Sequence, residues 1–527
     1  MNKKSNTKNN TGSKVKSNTG SSVGSKAKNN TKGKVSRNKK NKENQVLALT
    51  GMGLMAVQFI ISIIFMAVLH YVDMVPLKYK FLVGLVLILC VVLGLIAQRW
   101  KIPGIITKVL SLFMSVILIL GIVYIGYTRG AIERIMGNNS KTVDIAVYVR
   151  NDDPAKELQD INGYSCGKLA TVDADNTDLM TDYIDSSTNI KLDYIDYNSI
   201  IEMVDALLSG KVKCIILNTA YLGIFEEMDG YTEVPSKIRA VFTKTFESKL
   251  EDSNAEENYL QSDDVICIYV SGIDTTGPVS TVSRSDVNIL LFINTNTHQI
   301  LMINTPRDYY VPLSISSGAR DKLTHAGIYG IDVSKKTLEM LYGANVDYYF
   351  KLNFTGCVNI INELGGVDVY SEYDFSTQQT WGYHFNRGYN HVDGEGALAF
   401  ARERYAFTEG DRQRGKNQMA IIKAVIEKMT SSTSMLTNYT NILNAIAKSM
   451  ATDMPYEKIG DLVKMQLNSM PSWDVQTYSV DGTGERRTTF SMSSSQLLYV
   501  MIPNESTVNQ AKEYISQMYR NERISVN

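Results

Sequence analysis

Three long apolar stretches near the start of the chain dominate its pattern of hydrophobic and polar positions. They cover residues 46–69, 81–97 and 105–127, and their only charged residue, Lys108, lies near one end of the third. A membrane-spanning helix needs about 20 mainly apolar residues, so residues 44–130 are predicted to form three transmembrane helices. A cleavable signal peptide is the poorer interpretation, because the first stretch is long, lacks a small-residue cleavage pattern and is followed by two more.

The polar segment before these stretches is strongly basic. Residues 1–43 are almost entirely Lys, Asn, Ser, Thr and Gly, with thirteen basic residues against the single acid Glu43. Such a segment cannot bury a core and is predicted to be disordered. The whole chain has 54 basic and 54 acidic residues, so its neutrality hides a basic start and an acidic remainder. Basic flanking segments favour the cytoplasmic side of a membrane, so the basic segment is expected there, next to anionic lipid rather than nucleic acid. Three crossings then place everything after Tyr127 on the extracytoplasmic side.

Residues 141–262 alternate short β-rich runs with helical patterns, which predicts a small α/β domain with a largely parallel sheet. The domain contains no glycine-rich phosphate loop, metal-ligand cluster or nucleophile motif, so we expect an accessory or docking role. The acidic segment 251–264 is interpreted as the linker that leaves this domain. The predicted strands are 143–149, 169–172, 191–197 and 214–218, and the predicted helices are 177–185 and 199–208.

Charged residues occur at the ends of the three β-rich runs that follow. Asp274 comes after the first run, Arg284 and Asp286 open the second, and Arg307 with Asp308 follows the third. One rim of a small sheet would therefore collect carboxylates and guanidinium groups. Mg²⁺ prefers carboxylate and phosphate oxygens, and arginine matches phosphate bidentately, so these residue types suit a metal and a diphosphate. Surface ion pairing at strand ends is the alternative. The runs are 265–270, 287–293 and 299–304, and the last two form a predicted hairpin.

A second group of basic residues lies in the sequences LAFARER and DRQRGKNQ. Arg402 and Arg404 are two apart and share a side only if the chain there is extended or turning. Arg414 and Gln418 are four apart on a predicted helix, so they lie on one face, with aliphatic residues beyond them. The polar residues at the start of this face would point into a binding site, and the aliphatic residues that follow would pack in the core. A solvated basic helix is the alternative.

The rest of the chain adds elements but no chemistry. Strands are predicted over 348–352 and 367–370, on either side of a helix over 354–364 that ends at two glycines. The five cysteines and five histidines are dispersed without a C-x-x-C pair, so neither a zinc site nor a redox motif is indicated. Cys267 and Cys357 are expected to be buried free thiols, with disulfides as the open alternative.

Five ordered motifs follow one another through the second half of the chain: SRSDVNILLFIN, NTPRDYYVP, DKLTHAGIYG, LNFTGCVNIINELGGVDV and ALAFARERYAFTEGDRQRGKNQ. Together they resemble the catalytic domain of the LytR-CpsA-Psr family, most closely the streptococcal capsule-locus CpsA-type proteins, which share the three membrane spans and the accessory domain. The resemblance is dense over residues 265–429 and looser as far as Tyr519. It implies a mixed-sheet α/β/α catalytic domain over residues 263–527.

The resemblance also implies an activity: a membrane-anchored, extracytoplasmic phosphotransferase. It would move an anionic glycopolymer, capsular or like teichoic acid, from a polyprenyl diphosphate carrier onto peptidoglycan. Membrane lipid and other capsule-export proteins are the further implied partners. In the family, the residues matching Asp274 and Asp286 bind Mg²⁺, for which Mn²⁺ is a substitute. The implied catalytic residues are Asp274, Asp286, Arg284, Arg402 and Arg404, and the implied substrate-binding residues are Arg307, Arg414 and Gln418.

The physical argument agrees with this activity, because phosphoryl transfer depends mainly on positioning and charge neutralisation. Whether Asp274 or Asp286 orients the attacking sugar hydroxyl stays open. The polyprenyl tail needs an apolar tunnel, for which one face of 354–364 and one of 421–426 are candidates.

One departure from the family pattern falls inside the second basic group. Many members carry arginine immediately before the glutamine, and this chain has Asn417. The change lowers the local positive charge, for which Lys416 is a candidate replacement.

Two other functions fit the same features. A polyprenyl diphosphate phosphatase would use the same site with water as the acceptor. A non-enzymatic regulator or scaffold of capsule export would use the basic tail as its cytoplasmic contact. The density of Arg and Asp at strand ends favours catalysis over scaffolding.

Overall fold

The computed structural model describes residues 27–137, 140–249, 259–273, 279–431, 442, 444–447, 449–492 and 496–526. The chain divides into two compact units, Met1–Val68 with Lys78–Ile122 and Leu69–Leu77 with Val123–Asn527.

The apolar N-terminal part of the chain forms three helices: α1 (Ala27–Val72), α2 (Leu77–Ala97) and α3 (Lys101–Gly137). Each is long and apolar enough to cross a membrane, which agrees with the three predicted spans. Because α1 begins at Ala27, residues 27–43 are helical, and the prediction of disorder there is wrong. A helix that has already formed can be extended without a new nucleation step, so the polar residues 27–43 continue the apolar helix. The remainder of the predicted tail, residues 1–26, lies outside the described residues.

The accessory domain, residues 140–249, is an α/β unit with five strands, four α-helices and two short 3-10 helices, Leu158–Ile161 and Thr219–Tyr221. The strands and α-helices are β1 (Ser140–Arg150), β2 (Ser165–Leu169), α4 (Ala174–Ser187), β3 (Asp193–Tyr197), α5 (Ile200–Leu208), β4 (Cys214–Asn218), α6 (Leu222–Phe225), α7 (Val234–Lys237) and β5 (Ile238–Lys249).

The sheet of the accessory domain is mixed rather than largely parallel. Its strand order is β3-β2-β4-β1-β5. Pairing is parallel among β2, β3 and β4 but antiparallel where β1 meets β4 and β5. The predicted strand 169–172 is displaced by four residues from β2, and β5 is absent from the prediction although its polar and apolar residues alternate as in a strand with one solvated face. Most of the predicted linker 251–264 lies outside the described residues.

The catalytic domain begins at β6 and centres on a mixed sheet in the order β16-β11-β6-β7-β8-β17. Its strands are β6 (Val265–Ile273), β7 (Ser285–Asn294), β8 (Gln299–Asn304), β9 (Tyr310–Pro312), β10 (Arg320–Lys322), β11 (Tyr348–Asn353), β12 (Val367–Ser371), β13 (Phe375–Ser376), β14 (His384–Phe385), β15 (Gly388–Val392), β16 (Met450–Thr452), β17 (Asp474–Ser479), β18 (Gly482–Arg487) and β19 (Leu498–Pro503). Its helices are α8 (Leu323–Tyr329), α9 (Ile331–Tyr342), α10 (Phe354–Glu363), α11 (Gly394–Arg402), α12 (Asp411–Ser431), α13 (Tyr456–Ser469) and α14 (Glu505–Tyr519).

Both faces of the catalytic sheet are covered, which gives the predicted α/β/α layering. Every residue of β6 is buried, and alternate side chains enter opposite cores. Tyr269 packs with residues of α9 and α14, whereas Ile268 packs with residues of α12 and α13. A strand with apolar side chains on both faces is typical of a central strand buried between two layers.

The accessory and catalytic domains share a hydrophobic core. Ile328 of α8, Met492 and Leu498 of the catalytic domain pack with the accessory-domain cluster around α5 and β4. The buried hydroxyl of Tyr221 donates to that of Tyr329 at 3.2 Å. Strand β1 also pairs with the catalytic domain just before β7, where the N–H of Val282 donates to the carbonyl of Thr142 at 2.7 Å. The two domains are therefore joined by apolar packing as well as by hydrogen bonds.

Candidate active site

A cavity of about 340 Å³ lies where the carboxyl ends of β6 and β11 meet the start of β7. Ligands commonly bind at the carboxyl ends of strands in open α/β sheets. Asp274, the first predicted metal ligand, lies outside the described residues. All the other predicted site residues line this one cavity: Arg284, Asp286, Arg307, Arg402, Arg404, Arg414 and Gln418.

Arg307 follows β8 and is almost fully buried, with 6% of its surface exposed. Its Nη1 lies 3.0 Å from Asp286 Oδ1, and its Nη2 donates to Glu227 Oε1 at 2.6 Å. Burial by itself lowers the pKa of Arg307, but the carboxylates of Asp286, Asp308 and Glu227 raise the pKa above its ordinary value. The guanidinium therefore stays charged. Its buried Nε has no hydrogen-bond partner among the described residues and lies 3.8 Å from Asp308 Oδ1.

Lys322 is a second buried cation beside Arg307. Its ammonium lies 2.9 Å from Asp308 Oδ1 and 3.3 Å from Glu227 Oε2. Burial raises the pKa of Glu227, but Arg307, Lys322 and Arg284 outweigh burial and hold the pKa far below its ordinary value. The carboxylate of Glu227 is therefore ionised at neutral pH.

Asp286 has the chemistry of a metal ligand. Its Oδ1 lies 3.0 Å from Arg307 Nη1 and accepts a hydrogen bond from Thr324 Oγ1 at 3.2 Å. Both contacts use Oδ1, and Asp286 lines the cavity; carboxylate oxygens are ligands that Mg²⁺ prefers. The described residues contain no cluster of three or more metal-binding side chains. A bound Mg²⁺ would therefore need further oxygen ligands from Asp274, substrate phosphate or water.

Arg402 and Arg404 reach the cavity from a turn that the residue between them organises. Glu403 is fully buried, and its two oxygens accept four backbone hydrogen bonds of 2.6–3.0 Å, from residues 378–379 and 405–406. Burial raises the pKa of Glu403, but these four bonds outweigh burial and lower the pKa. The turn lets two arginines that are two residues apart face the same cavity, as the sequence pattern required.

The two arginines are held differently. Arg402 ends α11, and its guanidinium lies over the ring of Phe354, 4.6 Å from the ring centroid. Arg404 Nη2 donates to the hydroxyl of Tyr405 at 2.6 Å, and its buried Nε has no hydrogen-bond partner among the described residues.

Helix α12 brings Arg414 and Gln418 to the cavity on one face, as predicted. A Cβ at Gly415 would overlap the side chain of Asn304 at the end of β8, so the glycine lets the start of the helix approach the sheet rim closely. Arg414 is 8% exposed, and its Nη2 lies 2.5 Å from Asp411 Oδ1.

Asn417 and Lys416 do not contribute to the cavity. Asn417 is buried against α11, where its Nδ2 donates to the carbonyl of Phe400 at 3.1 Å. Lys416 pairs with Glu409 at 3.1 Å and lines a separate cavity of about 440 Å³ beside α12. The expectation that Lys416 replaces the missing arginine is therefore wrong, because successive residues of a helix point to different sides.

The other part of the cavity is apolar. From the two helix faces expected to form a tunnel, Phe354, Cys357, Ile421 and Ile422 line the cavity. Most of the other aliphatic residues on those faces belong to the core, as Ile361 shows. The remaining apolar lining residues are Val270, Val287, Leu352, Leu398 and Ala401. One cavity thus joins a cationic part to an aliphatic part.

Three charged residues that sequence analysis did not single out belong to this arrangement. Lys322 and Glu403 lie inside the motifs DKLTHAGIYG and ALAFARER. The motifs therefore indicated the right segments of the chain for these two residues. Glu227 comes from the accessory domain and carries no local signal. Only the packing of the two domains brings it to the site.

An α/β/α domain with a cavity of arginines beside carboxylates defines a protein that handles phosphorylated ligands. The model of the LytR-CpsA-Psr family matches residues 233–513, and the chain belongs to this family. A second model, described as a DNA polymerase processivity factor, matches residues 103–217. That match spans part of α3 and part of the accessory domain and carries no functional assignment.

Several related proteins carry the name polyisoprenyl-teichoic acid–peptidoglycan teichoic acid transferase TagU. The protein from Bacillus cereus is 31% identical over 238 residues, which cover 45% of this chain and 75% of the relative. The protein from Enterococcus faecalis is 31% identical over 245 residues, which cover 46% and 78%. Among solved structures, Bacillus subtilis TagV is 24% identical with a TM-score of 0.42, covering 50% of this chain and all of that one. The family assignment rests on the sequence matches.

We expect Glu403→Gln to lower the melting temperature markedly, because an amide NH₂ would replace an oxygen that accepts two backbone N–H bonds. Each stranded donor costs about 1–3 kcal/mol.

Folding lowers the pKa of Glu403, so the effect depends on pH. The stabilising contribution of the carboxylate is present above the ordinary carboxyl pKa of about 4.3 and is lost as the pH falls through the pKa of the folded state. Thermal melts should therefore separate parent and variant at pH 7, and the difference should disappear only as the pH falls through the lowered pKa of folded Glu403. Glu395→Gln, at an exposed position in α11, is the matched control; equal melts for parent and Glu403→Gln at pH 7 would contradict the role.

Proposed function

We propose that the chain is a membrane-anchored phosphotransferase that moves an anionic glycopolymer from a polyprenyl diphosphate carrier onto peptidoglycan. The observation that carries the proposal is the two-part cavity, in which five arginines adjoin an aliphatic wall. A polyprenyl diphosphate has the same two-part chemistry, with an anionic headgroup on a hydrocarbon chain. Relatives named for the transfer of teichoic acid from a polyisoprenyl carrier to peptidoglycan support the choice.

The charged residues suit the headgroup. Arginine binds phosphate oxygens through paired, directional hydrogen bonds, and the buried Nε atoms of Arg307 and Arg404 are donors without a partner among the described residues. Arg402 and Arg414 place further guanidinium groups on the same wall. A set of preorganised cations stabilises the charge that builds on phosphoryl oxygens during transfer.

In the proposed reaction, a sugar hydroxyl of peptidoglycan attacks the phosphorus that carries the glycopolymer. A new P–O bond forms to this hydroxyl oxygen, and the bond from phosphorus to the bridging oxygen of the diphosphate breaks. Polyprenyl monophosphate leaves with the bonding electron pair, and the hydroxyl proton passes to a nearby carboxylate or to water. Asp286, one of the carboxylates that line the cavity, is our candidate for orienting that hydroxyl.

The membrane orientation belongs to the same proposal. Three helices able to span a bilayer follow a basic segment, and basic flanks favour the cytoplasmic side. An odd number of crossings then places the accessory and catalytic domains outside, where the peptidoglycan acceptor lies.

The arginines are tested by Arg307→Lys, Arg404→Lys and Arg414→Lys. Each change keeps the charge but loses the planar fork, and a charge-assisted hydrogen bond contributes about 1.5–3 kcal/mol. We expect transfer of lipid-linked polymer to peptidoglycan to fall by about 10- to 100-fold in each variant. Lys416→Arg, on the other side of α12, should transfer at the parental rate.

Parental transfer in all three variants would contradict diphosphate binding by these arginines and favour the scaffold function. Release of free polymer phosphate in the absence of acceptor, at the rate of transfer, would favour the phosphatase.

The metal proposal assigns Mg²⁺ to Asp286 and Asp274, where it would neutralise diphosphate charge. We expect transfer to require Mg²⁺ or Mn²⁺ and to fall sharply in Asp286→Ala. Activity is measured after chelation and again after readdition of each ion. Full activity in excess chelator would remove the metal from the reaction.

The orientation is tested with reporter fusions. Alkaline phosphatase, which is active only outside the cytoplasm, should be active when fused after Asn527 and inactive when fused after Trp100, in the loop between α2 and α3. A cytoplasmic fluorescent reporter should give the reverse pattern. The opposite result at Asn527 would overturn the topology.

A further inference from the structure

The wall of the active-site cavity is not built by the catalytic domain alone. Glu226 and Glu227 of the accessory domain line it beside Arg284. The Nη1 group of Arg284 donates to the carbonyl of Gly223 at 2.9 Å and to Glu227 Oε1 at 2.7 Å. The accessory domain therefore supplies two acceptors to an arginine that the proposed function assigns to the diphosphate.

Gly223 provides the space in which the guanidinium of Arg284 lies. A Cβ at this position would come within 2.9 Å of Nη2 and 3.0 Å of Cζ of Arg284. Gly223 is helical, in α6, so its backbone conformation suits any residue. What a side chain at this position would disturb is the arginine.

Glu227 joins two arginines of the site through one oxygen. Its Oε1 lies 2.7 Å from Arg284 Nη1 and 2.6 Å from Arg307 Nη2. Two guanidinium groups repel each other, and a carboxylate between them offsets the repulsion and fixes their separation. The ammonium of Lys322 lies 3.3 Å from the other oxygen.

The contact of Glu227 with the two arginines lies in a well-packed interface between the accessory and catalytic domains. The domains share the apolar core around Ile328 and Leu498, and β1 pairs with the segment just before Arg284. The two arginines nevertheless remain part of the cavity lining, and Arg307 keeps an unpartnered Nε. Glu227 therefore orients the two guanidinium groups without occupying all their N–H donors. This argues against an inhibitory role in which Glu227 blocks the site.

We propose that the accessory domain completes the active site, with Gly223 and Glu227 as positioning residues that hold Arg284 and Arg307 for the diphosphate. The inference rests on the proposed function in its choice of ligand. In this proposal, residues outside the catalytic domain set the geometry of the two phosphate-binding arginines. Small displacements of such groups lower turnover more than they lower binding.

The test compares Glu227→Gln and Gly223→Ala with Asp229→Asn in the full-length protein. Asp229 also makes an ion pair across the domain interface, 2.6 Å from Arg486 Nη2, but it is exposed and does not line the cavity. Asp229→Asn thus matches Glu227→Gln in lost charge and lost interdomain pair. Gly223→Ala keeps all charges, and alanine is the better helix former, so folding should not suffer. Thermal melts check this in each variant.

We expect kcat for polymer transfer to fall by about 10- to 100-fold in Glu227→Gln and Gly223→Ala and to stay parental in Asp229→Asn. In Glu227→Gln the KM should stay the same or fall, because a negative charge beside the diphosphate is lost. A merely structural role would not separate kcat from KM in this way. Parental kcat in both variants would overturn the proposal, and faster transfer by Glu227→Gln would show that the carboxylate inhibits.

Binding of inorganic pyrophosphate, measured as a shift in melting temperature, distinguishes this inference from the proposed function. Gly223→Ala should weaken pyrophosphate binding about as much as Arg284→Lys, and Asp229→Asn should not. If the parent binds pyrophosphate in this pattern but transfers no polymer, the proposed function fails and the positioning role stands. If the parent transfers polymer and Gly223→Ala binds and transfers as the parent does, the positioning role fails alone. A parent that neither binds pyrophosphate nor transfers polymer overturns both.

Discussion

A buried arginine needs compensating charge, and the active site is arranged around that requirement. Arg307 is almost fully buried and lies within 3.0 Å of carboxylate oxygens from Asp286 and Glu227. Removing one partner of a buried ion pair leaves an uncompensated charge at high cost. The carboxylates that stabilise Arg307 also limit the net positive charge of the site.

Helix α12 links the charged and apolar parts of the cavity. Its first turns present Arg414 and Gln418, and the next turn presents Ile421 and Ile422 to the same cavity. Residues three and four apart share a helix face, so one element sets the distance between the charged part and the apolar part of the cavity. The residues on the other side of the helix, including Lys416, face a different cavity. Membership of the basic sequence DRQRGKNQ therefore does not by itself place a residue in the site.

Much of the catalytic domain was predictable because its strands are short apolar runs with clear ends. The hairpin of β7 and β8 and the helix that carries Arg414 follow from local pattern, and every described site residue named from sequence lines the cavity. The accessory sheet was predicted less well. Strand direction depends on which strands pair, and that pairing is decided by contacts distant in sequence. The helical start of α1 was missed because composition describes an isolated segment and ignores the helix it continues.

The sequence by itself determined the family, the apolar spans and the residue types of a phosphate site, since these depend on composition, spacing and motif. Only the tertiary structure decided which groups act together. Asn417 turns into the protein while its neighbour Gln418 enters the cavity, because helix geometry separates adjacent residues. Glu403 organises the turn between two arginines through backbone contacts distant in sequence. Glu227 reaches Arg284 and Arg307 from another domain, 57 and 80 residues away along the chain. Such pairing depends on long-range packing, and no local pattern encodes it.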